Sequence, residues 1–249
     1  MCTVTFYPND DHNWILSTNR DELKSRKKAK PPFIQKSGEL PYLAPVDGQA
    51  GGTWVGVNEA GIGLTIINNY QGNNPLLNHR TDAVSRGLII PDLMSRNHLE
   101  DVNARMQQLK VARYNPFKLI GMQSQPWMIM EWSWDGQKYR TRSLPVEPAI
   151  WVSSGRDYDG VSDNRRKIFE RFLESDPLPG VDAVRRLHSS GLPETGAYSI
   201  AMEQELVATV SNTIAEVNNG IARMHYHDGR PAESGTWTAT TLPLRAGGL

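Results

Sequence analysis

The chain is poor in three things that sort proteins into classes: cysteine, net charge and uninterrupted apolar sequence. Cys2 is the only cysteine among 249 residues, so no disulfide can form within the chain and a disulfide-stapled scaffold is excluded. The 27 Lys and Arg residues balance the 27 Asp and Glu residues, and the pI is near 7.0, so no overall field draws the protein to nucleic acid or anionic lipid. No stretch reaches the about eighteen apolar residues of a membrane span. Asp10, Asp11 and His12 stand where a secretory signal would need an apolar run. These absences lead to the expectation of a cytoplasmic protein whose partner is a small molecule. Phosphate-binding loops are missing as well, since Gly61-Ile62-Gly63 is followed by Leu64 and Thr65 and no Walker pattern occurs. No repeat or long polar linker divides the chain, which is expected to form one domain over residues 1–249.

What is present is a pattern of hairpins. Thr3, Thr5 and Tyr7 alternate with Val4 and Phe6, Pro8-Asn9-Asp10-Asp11 turns the chain, and Trp14–Ser17 reads as a return strand. Such a hairpin brings Cys2 to the end where Asn19-Arg20-Asp21-Glu22 lies. The basic stretch from Lys24 to Lys30, closed by Pro31-Pro32, reads as a solvated loop. Thr53–Val57 and Gly63–Ile67 form a second hairpin.

Helical spacing of apolar residues then predicts helices over Asp82–Arg96 and Leu99–Lys110. Strands follow at Phe117–Met122, Trp127–Trp134, Lys138–Leu144 and Ala149–Ser153. A helix capped by Ser162 or Asp163 runs to about Glu174 with Ile168, Phe169, Phe172 and Leu173 as its stripe, and a shorter one spans Val181–Ser189. Tyr198–Met202, Leu206–Val217 and Ile221–His227 read as closing strands. Blocks of hairpins separated by helix pairs do not alternate as a parallel sheet would. They predict an α+β protein, two stacked antiparallel sheets with helices on the outer faces.

Cys2 follows Met1 directly, and cysteine is small enough at that position for the initiator methionine to be removed. Removal leaves one residue bearing both a thiol and an α-amine. The thiolate is the attacking species, and an amine with a pKa of about 7.7–8.0 can take the thiol proton near neutral pH. A free cysteine is more often a small, inert, buried hydrophobe, so the remainder of the sequence has to decide.

Three segments bear on it: Met1-Cys2-Thr3-Val4-Thr5, Asn19-Arg20-Asp21-Glu22, and Gly51-Gly52-Thr53-Trp54 followed by Val57-Asn58-Glu59-Ala60-Gly61. Together they resemble the family named for its Asn-Arg-Asp-Glu (NRDE) motif, also called the transport and Golgi organisation 2 family. The similarity continues in Ser85-Arg86-Gly87-Leu88, Tyr114-Asn115-Pro116-Phe117 and Ser153-Ser154-Gly155. The resemblance implies an N-terminal nucleophile (Ntn) hydrolase fold, the four-layer αββα sandwich, and a site similar to that of the cysteine-dependent penicillin and bile-salt acylases. By that resemblance Cys2 is the nucleophile, Arg20 and Asp21 orient it, and Asn69 or its neighbour Asn68 helps hold the oxyanion, with Asn69 the first choice. Asn164 matches a further asparagine of the acylases, or is a polar residue in a first helical turn. Some family members carry a second cysteine where this chain has Ala201.

Other constellations are weaker. His225 and His227 share a strand face as a metal site could require, but no third ligand follows at diagnostic spacing. Ser153-Ser154-Gly155 lacks the first glycine of a nucleophile elbow. The expectation is therefore a cofactor-free hydrolase of linear carbon–nitrogen amide bonds working through Cys2. Its alternative is a non-catalytic carrier of an apolar ligand, lipid or haem, on the same fold. Neither the substrate nor the oligomeric state is written in these motifs.

Overall fold

The structure is a computed structural model that describes residues 2–9, 12–70, 80–231 and 235–245. Its first hairpin pairs β1 (Cys2–Pro8) with β2 (Trp14–Leu23), in a register that sets Cys2 opposite Arg20. Two further hairpins follow, β3 (Lys30–Ser37) with β4 (Leu40–Val46) and β5 (Val55–Asn58) with β6 (Gly63–Asn68). After two short helices come β7 (Phe117–Ser124), β8 (Trp127–Trp134), β9 (Tyr139–Leu144) and β10 (Ala149–Ser153). A second pair of helices precedes β11 (Val207–Asn218), β12 (Ile221–Asp228) and β13 (Trp237–Pro243). The strands form a six-stranded sheet ordered β10-β1-β2-β11-β12-β13 and a seven-stranded sheet running β3 to β9 in sequence, with every ladder antiparallel.

Strand alternation assigns the faces. Val4, Phe6, Trp14 and Leu16 point from the six-stranded sheet into a shared core with Val55, Val57, Ile120 and Met122 of the other sheet. The opposite face, carrying Tyr7 and Ile15, is covered by α3 (Tyr158–Ser175) and α4 (Val181–His188) through Ile168, Phe169, Val184 and Leu187. On the far side α1 (Ile89–Leu93) and α2 (Leu99–Gln108) cover Leu64, Ile66 and Trp132. The result is the four-layer αββα sandwich expected from the element order. Among the described residues no helix is long and apolar enough to cross a membrane.

Several local expectations are corrected. The basic stretch is a loop only as far as Ala29, because Pro31 and Pro32 lie inside β3. β3 is an edge strand with a register shift between Lys30 and Phe33, the setting in which proline's missing N–H is tolerated. The helix expected over Asp82–Arg96 shrinks to a 3-10 turn at Arg86–Leu88 and the five residues of α1. Val84 is held extended by a bridge to Tyr114 instead. α3 starts earlier than expected, at an Asp157 cap in left-handed conformation (φ 44°) whose carboxylate accepts from the Gly160 N–H. Tyr198–Met202 forms no strand. Ala201 donates to the Ser190 carbonyl, and Ser199 Oγ donates to backbone oxygens of its own segment. The final strand, β13, was not foreseen.

Candidate active site

Cys2 opens β1, the second strand of the six-stranded sheet, between Arg20 on β2 and Ser153 on β10. Directly opposed residues in an antiparallel pair share a face, so Cys2 and Arg20 both look toward the inter-sheet side, where Cys2 packs against the central core. Asp21, one residue on, faces the other way.

Arg20 is held from the second sheet. Its guanidinium lies 4.7 Å from the ring centre of Trp54 and pairs with Asp47. Asp47 follows β4 in a tight loop in which its Oδ1 accepts from the Gln49 and Ala50 N–H groups, while Oδ2 takes Arg20 and Arg26. Burial pushes the Asp47 carboxyl up, but Arg26, the Ala50 N–H and the charge of Arg20 outweigh it and hold it below the usual carboxylate range.

Asp21 belongs to the helix-covered face. Its carboxylate accepts from Thr209 Oγ1 at 2.6 Å and lies 3.4 Å from Arg165 Nη1. Arg165 projects from α3 with no exposed surface, donates to Thr3 Oγ1 at 2.6 Å and to the Ala197 carbonyl at 3.0 Å, and so ties α3 to β1 and β2. Burial pushes the Asp21 carboxyl up and the Arg165 guanidinium down, each opposed by the other's charge. Arg20 and Asp21 thus flank Cys2 from two sides of one sheet, each bound to its own counter-charge.

The thiol is half-buried, and burial pushes its pKa up. The Asp21 carboxylate acts in the same direction, whereas a hydrogen bond from the Asp21 backbone and the charge of Arg20 pull it back. Beside it opens a cleft of about 190 Å³ lined by Cys2, Arg20, Trp54, Asn68, Arg86 and Asn115, among others. Its far wall is built by close backbone packing. Thr53 N–H donates to the Gly87 carbonyl at 2.9 Å, and a Cβ on Gly52 would overlap the Gly87 backbone, so only glycine lets these segments meet. Asn115 clamps the approach to that wall by exchanging two hydrogen bonds with the Arg80 backbone, at 2.8 and 3.0 Å.

The asparagines separate. Asn68 lines the cleft and spends one amide N–H on Tyr70 Oη at 2.8 Å. Asn69, the first choice as oxyanion donor, does not line it and donates to the Trp134 carbonyl at 3.2 Å. β6 ends at Asn68, so alternation gives no guide to where the next side chain points. Asn164 is outside the cleft as well, donating to the Tyr198 carbonyl at 3.1 Å. Its neighbour Arg165 was missed by sequence reasoning, although extending the Ile168–Phe169 stripe back one turn lands on it. Asp47 carried no such signal. His225 accepts from Arg185 at 3.0 Å, and His227 Nδ1 lies 3.3 Å from the Gly229 carbonyl. Among the described residues no three His, Cys, Asp or Glu side chains gather as a metal site requires.

Comparison with known proteins agrees with this architecture. The family model described as Transport and Golgi organisation 2 matches residues 1–171. No curated protein matches the chain. Among solved structures, the Caenorhabditis elegans ortholog of N-acylethanolamine-hydrolyzing acid amidase is 12% identical with a TM-score of 0.58, covering 85% of this chain and 91% of its own. A mutant of the conjugated bile acid hydrolase from Clostridium perfringens is 11% identical with a TM-score of 0.54, covering 97% and 92%. At these identities the likeness establishes the Ntn-hydrolase fold and no more.

Proposed function

This chain belongs to the transport and Golgi organisation 2 family, and from that premise we propose that it is an N-terminal-cysteine hydrolase of linear amide bonds. The observation that carries the reading is the placement of Cys2: a half-buried thiol at the mouth of a polar cleft, with Arg20 beside it on one face and Asp21 behind it on the other.

A thiol pushed up by burial is protonated at neutral pH, so attack needs a base at hand. Loss of Met1 would supply one in the α-amine of Cys2 itself. The amine takes the thiol proton and Sγ attacks the amide carbon. The oxyanion that forms is held by backbone N–H groups and by the second N–H of the Asn68 amide, which Tyr70 leaves available. Collapse breaks the C–N bond, and the leaving amine takes its proton from the α-ammonium. Water then cleaves the thioester, releasing the acid and restoring the thiol. Asp21, fixed by Thr209 and Arg165, supplies the negative charge that favours the ammonium form during the cycle.

The charged lining, with Arg20, Glu22, Arg26, Asp47 and Arg86, favours this reading over carriage of an apolar ligand, which would strip water from those groups without offering new polar partners. A panel of N-acyl amides assayed with protein lacking Met1 tests the proposal. Turnover that vanishes in Cys2→Ala, and falls about 100-fold in kcat in Asn68→Ala, is the expected result. Turnover retained by Cys2→Ala contradicts it.

A further inference from the structure

Three arginines enter the cleft, and they are not in the same electrostatic state. Arg20 and Arg26 converge on Asp47, and Arg26 also lies 3.6 Å from Glu22. Arg86 has no such partner: among the described residues no carboxylate comes within ion-pair distance of it, and Nη1 donates to the Pro116 carbonyl at 2.8 Å. A guanidinium carries five N–H donors, so most of its hydrogen-bonding capacity remains for a ligand.

Neither its burial nor its position is accidental. Arg86 is half-buried, and desolvation pulls its pKa down against the more distant charges of Tyr70, Cys2 and Glu22. The Gly52–Gly87 contact and the Thr53–Gly87 hydrogen bond fix the backbone on either side of the wall it projects from. Its other end is tied to Pro116, the residue after the Asn115 clamp. A rigidly mounted guanidinium with no ion-pair partner among the described residues, sharing a cleft with a nucleophile, is a fork that matches a carboxylate.

We propose that Arg86 is a substrate-binding residue that seats a carboxylate, so that the amides this protein cleaves carry that anionic group close to the scissile bond. The assignment of a scissile bond rests on the hydrolase reading above, whereas the anion seat beside Cys2 does not. The cleft volume of about 190 Å³ corresponds to about six water molecules at about 30 Å³ each, enough for a carboxymethyl-sized group within reach of both residues.

Two thiol reagents of nearly equal size separate the ideas without any need for turnover. Iodoacetate carries the carboxylate and iodoacetamide is neutral, and both alkylate the thiolate with loss of iodide. Intact mass gives the rate of each at Cys2, with glutathione as the free-thiol reference. The iodoacetate-to-iodoacetamide rate ratio in the wild-type protein should exceed the glutathione ratio by about tenfold. It should fall back to the glutathione value in Arg86→Gln, stay largely elevated in Arg86→Lys, and decline in the wild type as salt rises through about 0.5 M. A wild-type ratio equal to that of glutathione overturns the proposal, as does a ratio that Arg86→Gln leaves unchanged. Should Arg86→Gln fail to fold, the salt dependence in the wild type decides: a ratio indifferent to salt overturns the anion seat. Absence of turnover on amides counts against the hydrolase reading alone, because the alkylation ratio is measured independently of it.

Discussion

Arg20 and Asp21 are adjacent in sequence and opposite in circumstance. Arg20 turns into the cleft, stacks on Trp54 and shares Asp47 with Arg26, all of them within reach of water or ligand. Asp21 turns under α3, where Arg165 and Thr209 hold its carboxylate away from solvent. The pair shows how one strand serves two tasks: one side chain shapes the chemistry of the thiol, while its neighbour locks the helical layer to the sheet that carries the thiol.

Removing the counter-charge from each side should separate those tasks. Arg165→Met takes the guanidinium away from a buried carboxylate and should cost about 3–5 kcal/mol in chemical denaturation. Arg20→Met leaves Asp47 still bound to Arg26, so it should cost less, roughly 1.5–3 kcal/mol, the worth of one charge-assisted hydrogen bond. It should also slow alkylation of Cys2 at pH 8, since the charge of Arg20 favours the thiolate. Equal costs for the two variants would erase the distinction between the faces.

A pH-dependent effect sharpens the covered side. His188, at the end of α4, is fully buried and hydrogen-bonded to Thr5 Oγ1 at 2.8 Å. Burial, reinforced by the charge of Arg165, pushes its pKa down to about 3, below the about 6.5 of an unfolded chain. The unfolded state therefore binds the extra proton between those values, and stability declines as pH falls from about 6.5 toward 3. The slope from this single group approaches about 1.4 kcal/mol per pH unit. His188→Gln should flatten the dependence of Tm on pH across that window, and an unchanged slope would remove His188 from the account.

Much of this arrangement could be read from the chain because it follows from local rules. The β1–β2 hairpin is visible in the alternation of Thr3 through Tyr7, and its register alone brings Cys2 to Arg20. Hairpin blocks and paired helices similarly indicate the four layers. What escaped depends on tertiary placement. Pro31 and Pro32 are compatible with a strand only at a sheet edge, and sequence does not mark edges. Arg165 looks like a surface cation until the helix is seen to bury it, and Asp47 is an ordinary loop residue until the second sheet carries it to Arg20 and Arg26. The choice between Asn68 and Asn69 falls where β6 ends and the period of two lapses.

The central claim is that the Cys2 thiol becomes a nucleophile once its own α-amine is free. Intact mass of protein quenched within the first turnovers on an N-acyl amide tests it most directly. The account predicts one acyl adduct, on Cys2, confined to chains that have lost Met1 and absent from Cys2→Ala. Turnover without any acyl adduct on Cys2, or an adduct that forms equally on chains retaining Met1, would contradict it.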